Sequence, residues 1–125
     1  AYVARRTQDA LNRLKKPMNG SHIVLAGVTY KANVSDQRET PAKPLVAHLR
    51  RMGADVSFID SHVDSFVVAG SEVPRILDIG EAARSADVVV LLQAHDEFLD
   101  SSGLGEADCI LDTSGKFTGD NVDRL

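Results

Sequence analysis

The spacing of apolar residues changes several times along the chain, and each change marks an element. Val3, Thr7, Ala10, Leu11 and Leu14 recur at helical intervals, with Arg5, Arg6, Gln8, Asp9, Arg13 and Lys15 on the other faces. That period predicts an amphipathic helix over residues 2–15, ended by Pro17 and the turn at Asn19-Gly20. The run His22-Ile23-Val24-Leu25-Ala26-Gly27-Val28 is almost unbroken in its apolarity. Unbroken runs, as opposed to alternating ones, are the mark of strands covered on both faces, so residues 22–28 read as a buried strand. A polar stretch over 29–40 follows. Thr40-Pro41 then reads as an N-cap with proline in the first turn. Leu45, Val46, Leu49 and Met52 form the stripe of a helix over 41–52, and Gly53 stands where a C-terminal glycine belongs. Further along, strands are predicted at 55–60, 87–92 and 108–112, and short helices at 78–85 and 95–100. Residues 61–75 predict a loop with a short helical turn. The tail, 113–125, is polar and matches no template.

Strands alternating with helices predict an α/β fold: a Rossmann-like, doubly wound parallel sheet flanked by helices, preceded by one helix. Ligands of such sheets bind beyond the carboxyl ends of the strands. Residues 15–21 read as a linker between the first helix and the sheet. The chain opens Ala1-Tyr2-Val3-Ala4 without a Met or a capping side chain. A helix needs a partner for its first free N–H groups, so a helix that opens in mid-pattern reads as part of a longer protein.

Composition removes several classes of function. One cysteine excludes a disulfide scaffold, and four scattered histidines show no metal-ligand spacing, so no metal is expected. A net charge of −4 advertises no basic face for nucleic acid. No apolar run approaches the roughly 20 residues of a membrane span, and the charged, helical opening leads to the expectation of no signal peptide. The lone thiol fits a reducing, cytoplasmic setting.

Candidate chemistry concentrates in the loop after the first strand. It carries an aromatic (Tyr30), a cation (Lys31) and a guanidinium (Arg38), and it runs into a helix N-terminus. These groups suit a phosphate or pyrophosphate: Arg supplies a bidentate fork, Lys a point charge, and the helix end favours anions. Asp36 and Glu39 are placed to orient the cations. The alternative is a solvated loop whose Asp36 and Arg38 merely pair locally.

Other patterns fail on their own terms. A dinucleotide fingerprint needs G-x-G-x-x-G after the first strand, and Gly27 stands alone. Asp60, where such domains hold a ribose, therefore reads as a turn or cap residue. Asp112-Thr113-Ser114-Gly115-Lys116 lacks the first glycine and the terminal Ser/Thr of a P-loop, which leaves Lys116 a surface lysine or a second contact to the same ligand. A phosphoreceiver site would need an acidic pair where Val28-Thr29 stands. Cys109, inside a strand pattern, reads as a core residue. His95-Asp96 follows a buried strand and is placed to touch a ligand or a partner, with Asp96 otherwise a helix cap.

The loop and its neighbours resemble a known family. Ile23-Val24-Leu25-Ala26-Gly27-Val28-Thr29-Tyr30-Lys31, then Asn33, Asp36 and Arg38-Glu39-Thr40-Pro41, is similar to the hallmark of the C-terminal domain of UDP-glucose/GDP-mannose dehydrogenases. Gly53-Ala54-Asp55-Val56 with Asp60, Ala86-Asp87-Val88-Val89-Val90, His95-Asp96-Glu97-Phe98 and Asp112-Thr113 resemble further motifs in the same order. One departure is Ser114, where the family commonly has Arg.

The resemblance implies residues 1–16 as the end of a connecting helix from a central domain and 17–125 as the domain that binds the UDP-sugar. It implies an NAD-dependent oxidation of a nucleotide sugar's C6 alcohol to a carboxylate, for polysaccharide biosynthesis. Tyr30 and Lys31 would contact the substrate, Arg38 would reach NAD bound mainly by an N-terminal domain, and Asp36 would position the loop. The family's nucleophilic cysteine lies upstream, so this segment alone is expected to be inactive. The full-length protein would be a homo-oligomer. The rival reading is a stand-alone Rossmann-like module that binds a nucleotide or docks a partner without catalysis. The first helix separates the two: an unpartnered apolar stripe favours an upstream domain, and complete packing favours the module.

Overall fold

The computed structural model describes residues 2–31, 33, 36, 40–99, 103–113 and 122–124, with 99, 105 and 122–124 described by backbone only. Its elements are α1 (Tyr2–Arg13), β1 (His22–Ala26), α2 (Ala42–Arg51), β2 (Asp55–Ile59), β3 (Val67–Val68), β4 (Ser71–Glu72), α3 (Ile79–Ser85), β5 (Val88–Leu91), α4 (Asp96–Leu99), a 3-10 turn (Gly103–Glu106), β6 (Ile110–Asp112) and β7 (Val122–Arg124). Five strands form one parallel sheet in the order β2-β1-β5-β6-β7. The doubly wound parallel architecture is as the alternation predicts.

Side chains alternate across a strand, and this sorts the core into two layers. Ile23 and Leu25 of β1, Val56 and Phe58 of β2 and Val88 and Val90 of β5 pack with Leu11 of α1 and Leu45 and Leu49 of α2. Val24, Ala26, Ile59, Val89 and Leu91 face the other way, onto Ala82 and Ala83 of α3, Phe98 and Leu104. Each helix places its apolar stripe as the 3.6-residue period dictates. The Thr40 hydroxyl accepts the Ala42 N–H at 3.2 Å, and Gly53 at φ +90° turns the chain out of α2. Asp78 caps α3 by accepting the Glu81 N–H at 2.9 Å. Removing that acceptor in Asp78→Ala is expected to cost about 1 kcal/mol, measurable as a shift in the urea midpoint.

Beyond shifts of a residue or two at element ends, the structure differs from the sequence reading as follows. β1 stops at Ala26 because Gly27 turns away at φ +86°. The segment 61–75 holds the hairpin β3–β4 in place of a helical turn. Its two-residue turn, Ala69-Gly70, has both φ values positive, the combination that matches strand twist. Arg50 on α2 holds the hairpin by donating to the Val68, Ser71 and Glu72 carbonyls. β6 begins at Ile110 instead of 108, and the polar tail supplies β7.

The first helix packs on the sheet domain. Ala4, Thr7, Ala10 and Leu11 of α1 are buried, and α1 contacts α2, β5 and β6. The expected linker is also fixed: Lys16 pairs with Asp87 at 2.8 Å, and the Gly20 N–H donates to the Gly53 carbonyl. No described helix is long and apolar enough to cross a membrane.

Candidate functional site

The chain runs from β1 through α2 to β2 on one side, then crosses back to β5, β1's other neighbour. The carboxyl ends of β1 and β5 therefore flank the sheet's switch point, where open α/β sheets hold ligands. Three segments meet there: the loop from Gly27, the end of β2 at Asp60, and the segment from Gln93 to Asp96.

A buried pair organises this edge. Asp60 is 1% exposed and His95 is 0% exposed. Asp60 Oδ2 accepts the Val28 N–H and a bond from His95 Nε2, each at 2.9 Å, and Oδ1 accepts the His62 N–H at 2.9 Å. The other ring nitrogen, His95 Nδ1, accepts the Asn33 N–H at 2.7 Å. A backbone N–H only donates, so Nδ1 is unprotonated and Nε2 carries the proton given to Asp60. Burial alone would push the Asp60 carboxyl up. The bonds from His95 and from the Val28 and His62 amides outweigh that and hold it below the usual carboxylate range. The His62 and Phe98 rings enclose the imidazole, with centroids at 4.6 and 5.6 Å.

The loop is fixed at almost every described residue. The Thr29 hydroxyl donates to the Lys31 carbonyl at 2.6 Å, and the Thr40 hydroxyl to the Thr29 carbonyl at 3.3 Å. The Tyr30 N–H reaches the Asp36 carbonyl at 2.7 Å, and Gln93 Nε2 donates to the Tyr30 carbonyl at 3.1 Å. Asn33 has φ +61°, a conformation Asn tolerates better than most residues. Its side chain accepts the Asp96 N–H at 2.9 Å and donates to the Asp96 carboxylate at 3.3 Å.

With their main chain held inward, Tyr30 and Lys31 direct their side chains outward. Tyr30 is 48% exposed and Lys31 is exposed. Lys31 Nζ stands 5.8 Å from the Tyr30 ring centroid, and Lys31 has no carboxylate partner among the described residues. The pair offers a cation beside a ring face, a combination that can take a phosphate and stack a base or sugar. Asp36 is half-buried and latches the loop through its carbonyl. Arg38, Ser114 and Lys116 lie outside the described residues.

Both Asp60 oxygens are engaged by protein donors, in keeping with a structural role instead of a ribose-binding one. Cys109 is half-buried against the core just before β6. His22 bonds the Ser57 hydroxyl and the Ser85 carbonyl, and His48 lies beside Arg51. Among the described residues no cluster of His, Cys, Asp and Glu could hold a metal. The space a Cβ on Gly27 would take is filled by Gln93, whose Cβ and main-chain oxygen lie 2.8 Å from it. A dinucleotide cradle would also need a second glycine where Thr29 stands, to let a pyrophosphate approach, so this strand end lacks the NAD fingerprint.

The sequence profile of the UDP-glucose/GDP-mannose dehydrogenase family, UDP binding domain, matches residues 24–118. The chain belongs to this family. Among its relatives is a UDP-N-acetyl-D-mannosamine dehydrogenase of Methanococcus maripaludis, 38% identical over 100 residues, which are 78% of this chain and 21% of that protein. An NDP-N-acetyl-D-galactosaminuronic acid dehydrogenase of Ralstonia nicotianae is 31% identical over 97% of this chain and 28% of its own length. The chain thus spans only about a quarter of those relatives. The solved UDP-N-acetyl-mannosamine dehydrogenase of Staphylococcus aureus superposes with a TM-score of 0.72 at 27% identity, over 98% of this chain and 29% of that one. Within the family domain, the matched segment contains the loop and both of its buried anchors.

Asp60, His95, Asn33 and Gln93 are the residues whose roles the sequence hid. Asp60 read as a cap, and His95 as a contact without an assigned partner. The available signal was a polar residue directly after β2 and another a few residues beyond β5. Seeing that the two meet requires the strand order.

Proposed function

We propose that this domain binds the nucleotide portion of a UDP-sugar, with Tyr30 and Lys31 as its contacts and Asp36 positioning the loop. Arg38 would reach the NAD held mainly by another domain of the same chain. The whole protein would be a cytoplasmic, homo-oligomeric, NAD-dependent nucleotide-sugar 6-dehydrogenase that oxidises the C6 alcohol to a carboxylate for polysaccharide biosynthesis. In that protein residues 1–16 lead from a central domain into the sugar-binding domain, 17–125. The observation that supports this most is the Tyr30–Lys31 pair, presented at the switch point by a loop pinned from beneath. Two relatives are named for N-acetylated sugars, so UDP-N-acetylhexosamines are the first substrates to test.

Titrating the 125-residue chain calorimetrically with UDP and UDP-sugars should give weak binding. Lys31→Ala should weaken it by roughly tenfold or more, the loss of one charge-assisted contact. Absence of heat with every nucleotide, or indifference to Lys31→Ala, would refute the site. The full-length protein should form NADH from a UDP-sugar, and this segment alone should not; turnover by the segment would overturn the division of labour. The module reading gains from one observation: Thr7, Ala10 and Leu11 of the predicted stripe, with Ala4, are buried on the domain's own core, although Val3 and Leu14 are only half-buried. UDP binding by the segment without UDP-sugar oxidation by the full-length protein would favour it.

A further inference from the structure

We infer that His95, backed by Asp60, is the positioning residue of the nucleotide loop: it sets the stance of Tyr30 and Lys31 through the Asn33 amide. This rests on the nucleotide-binding reading above. A buried polar pair is expensive to desolvate and adds little net stability over apolar packing, so what it is bonded to is informative. Apart from the His62 amide, the bonds that the two side chains make outside the pair go to the loop. Val28 N–H opens it, Asn33 N–H lies two residues beyond Lys31, and the Thr29 hydroxyl is 3.4 Å from Nε2. His95 therefore joins the end of β2 to the middle of the loop, with one ring nitrogen for each. No apolar residue and no single hydroxyl can do both.

Two substitutions separate the two nitrogens. A glutamine amide falls near Nε2, so His95→Gln keeps a donor for Asp60 and withdraws the acceptor from Asn33. An asparagine amide falls near Nδ1, so His95→Asn keeps the acceptor and loses the Asp60 bond. With the 125-residue chain, amide exchange by NMR is expected to show Asn33 losing protection in His95→Gln while the core strands keep theirs. UDP affinity should fall about tenfold, the worth of one loop anchor transmitted to the contacts. His95→Asn should melt earlier yet bind UDP more tightly than His95→Gln. Ring nitrogen shifts of the wild-type protein should show an unprotonated Nδ1 and a protonated Nε2. The opposite tautomer, or unchanged Asn33 exchange and UDP affinity in a folded His95→Gln, would overturn the assignment. If wild-type protein binds no UDP, the nucleotide reading fails, and the Asn33 exchange alone decides whether His95 holds the loop.

Discussion

Replacing Asp60 with alanine is expected to lower the unfolding free energy by about 3–5 kcal/mol, the range for stripping one partner from a buried charged network. For a domain of this size that is a drop in melting temperature of about 10–20 °C. The substitution leaves two buried donors, the Val28 amide and His95 Nε2, and the half-buried His62 amide without acceptors. Water cannot easily reach them, because Asp60 is 1% exposed and His95 is fully buried. Asp60→Asn should lose less, about 1–3 kcal/mol. Its amide retains one oxygen but sets an NH2 group against a donor. If that group faces His62, one bond is lost. If it faces His95, it also opposes the Val28 N–H, the ring must take the other tautomer, and Nδ1–H then meets the Asn33 N–H head on. The pH dependence has a definite sign. The folded carboxyl lies below its ordinary value of 3.8, so its contribution is complete above that value. It is lost as pH falls through the lower, folded value. Asp87, whose burial is likewise outweighed by Lys16 and the His22 amide, shifts the same way. Wild-type stability measured by urea unfolding should therefore fall more steeply below about pH 4 than that of Asp60→Asn. Parallel acid limbs for the two proteins would contradict this account of Asp60.

The fold was legible where the chemistry is periodic. The apolar runs from Ile23 and Val88 are strands covered on both faces, and the Leu45-Val46-Leu49 stripe can only be one side of a helix. What stayed hidden depends on contacts distant in sequence. The turn of the β3–β4 hairpin uses Ala69 at φ +52°, a residue with no preference for that conformation, and Arg50 holds the hairpin from another element. β7 is a short edge strand in a polar tail, paired with β6 over three residues, too few to leave an alternating signature. The candidate site divides in the same way. Tyr30 and Lys31 were legible because a cation and an aromatic in a polar loop have little to do but meet a ligand or solvent. Asp60 and His95 were not, because 35 residues separate them and only the parallel crossover brings them together. The exposed half of the site is thus readable as chemistry, and the buried half only as topology.

That division makes Gly27 the most sensitive point between the two halves. Gly27→Val is expected to destabilise the protein by roughly 3–5 kcal/mol, combining left-handed backbone strain with overpacking. At φ +86° any L side chain is strained, and a β-branched one more so. A Cβ here would also lie 2.8 Å from the Gln93 carbonyl oxygen, 2.8 Å from its Cβ and 3.0 Å from its nitrogen. Two of those three atoms are main chain, so trimming the neighbour in Gln93→Gly should not rescue the variant. The backbone cannot step aside either. Gly27 N–H is bonded to the Ile59 carbonyl, and the Leu92 N–H to the Ala26 carbonyl. These bonds tie β1 to both neighbouring strands at the switch point. Relief has to come from the loop, by moving Val28 off Asp60 and drawing Tyr30 away from Gln93. Urea unfolding should show a lower midpoint, and any folded Gly27→Val protein should bind UDP more weakly than Lys31→Ala, since it displaces both of the proposed contacts at once. A Gly27→Val protein with wild-type stability would mean that the strand end is more yielding than its hydrogen bonds imply, and would remove the physical basis for treating the loop as rigid.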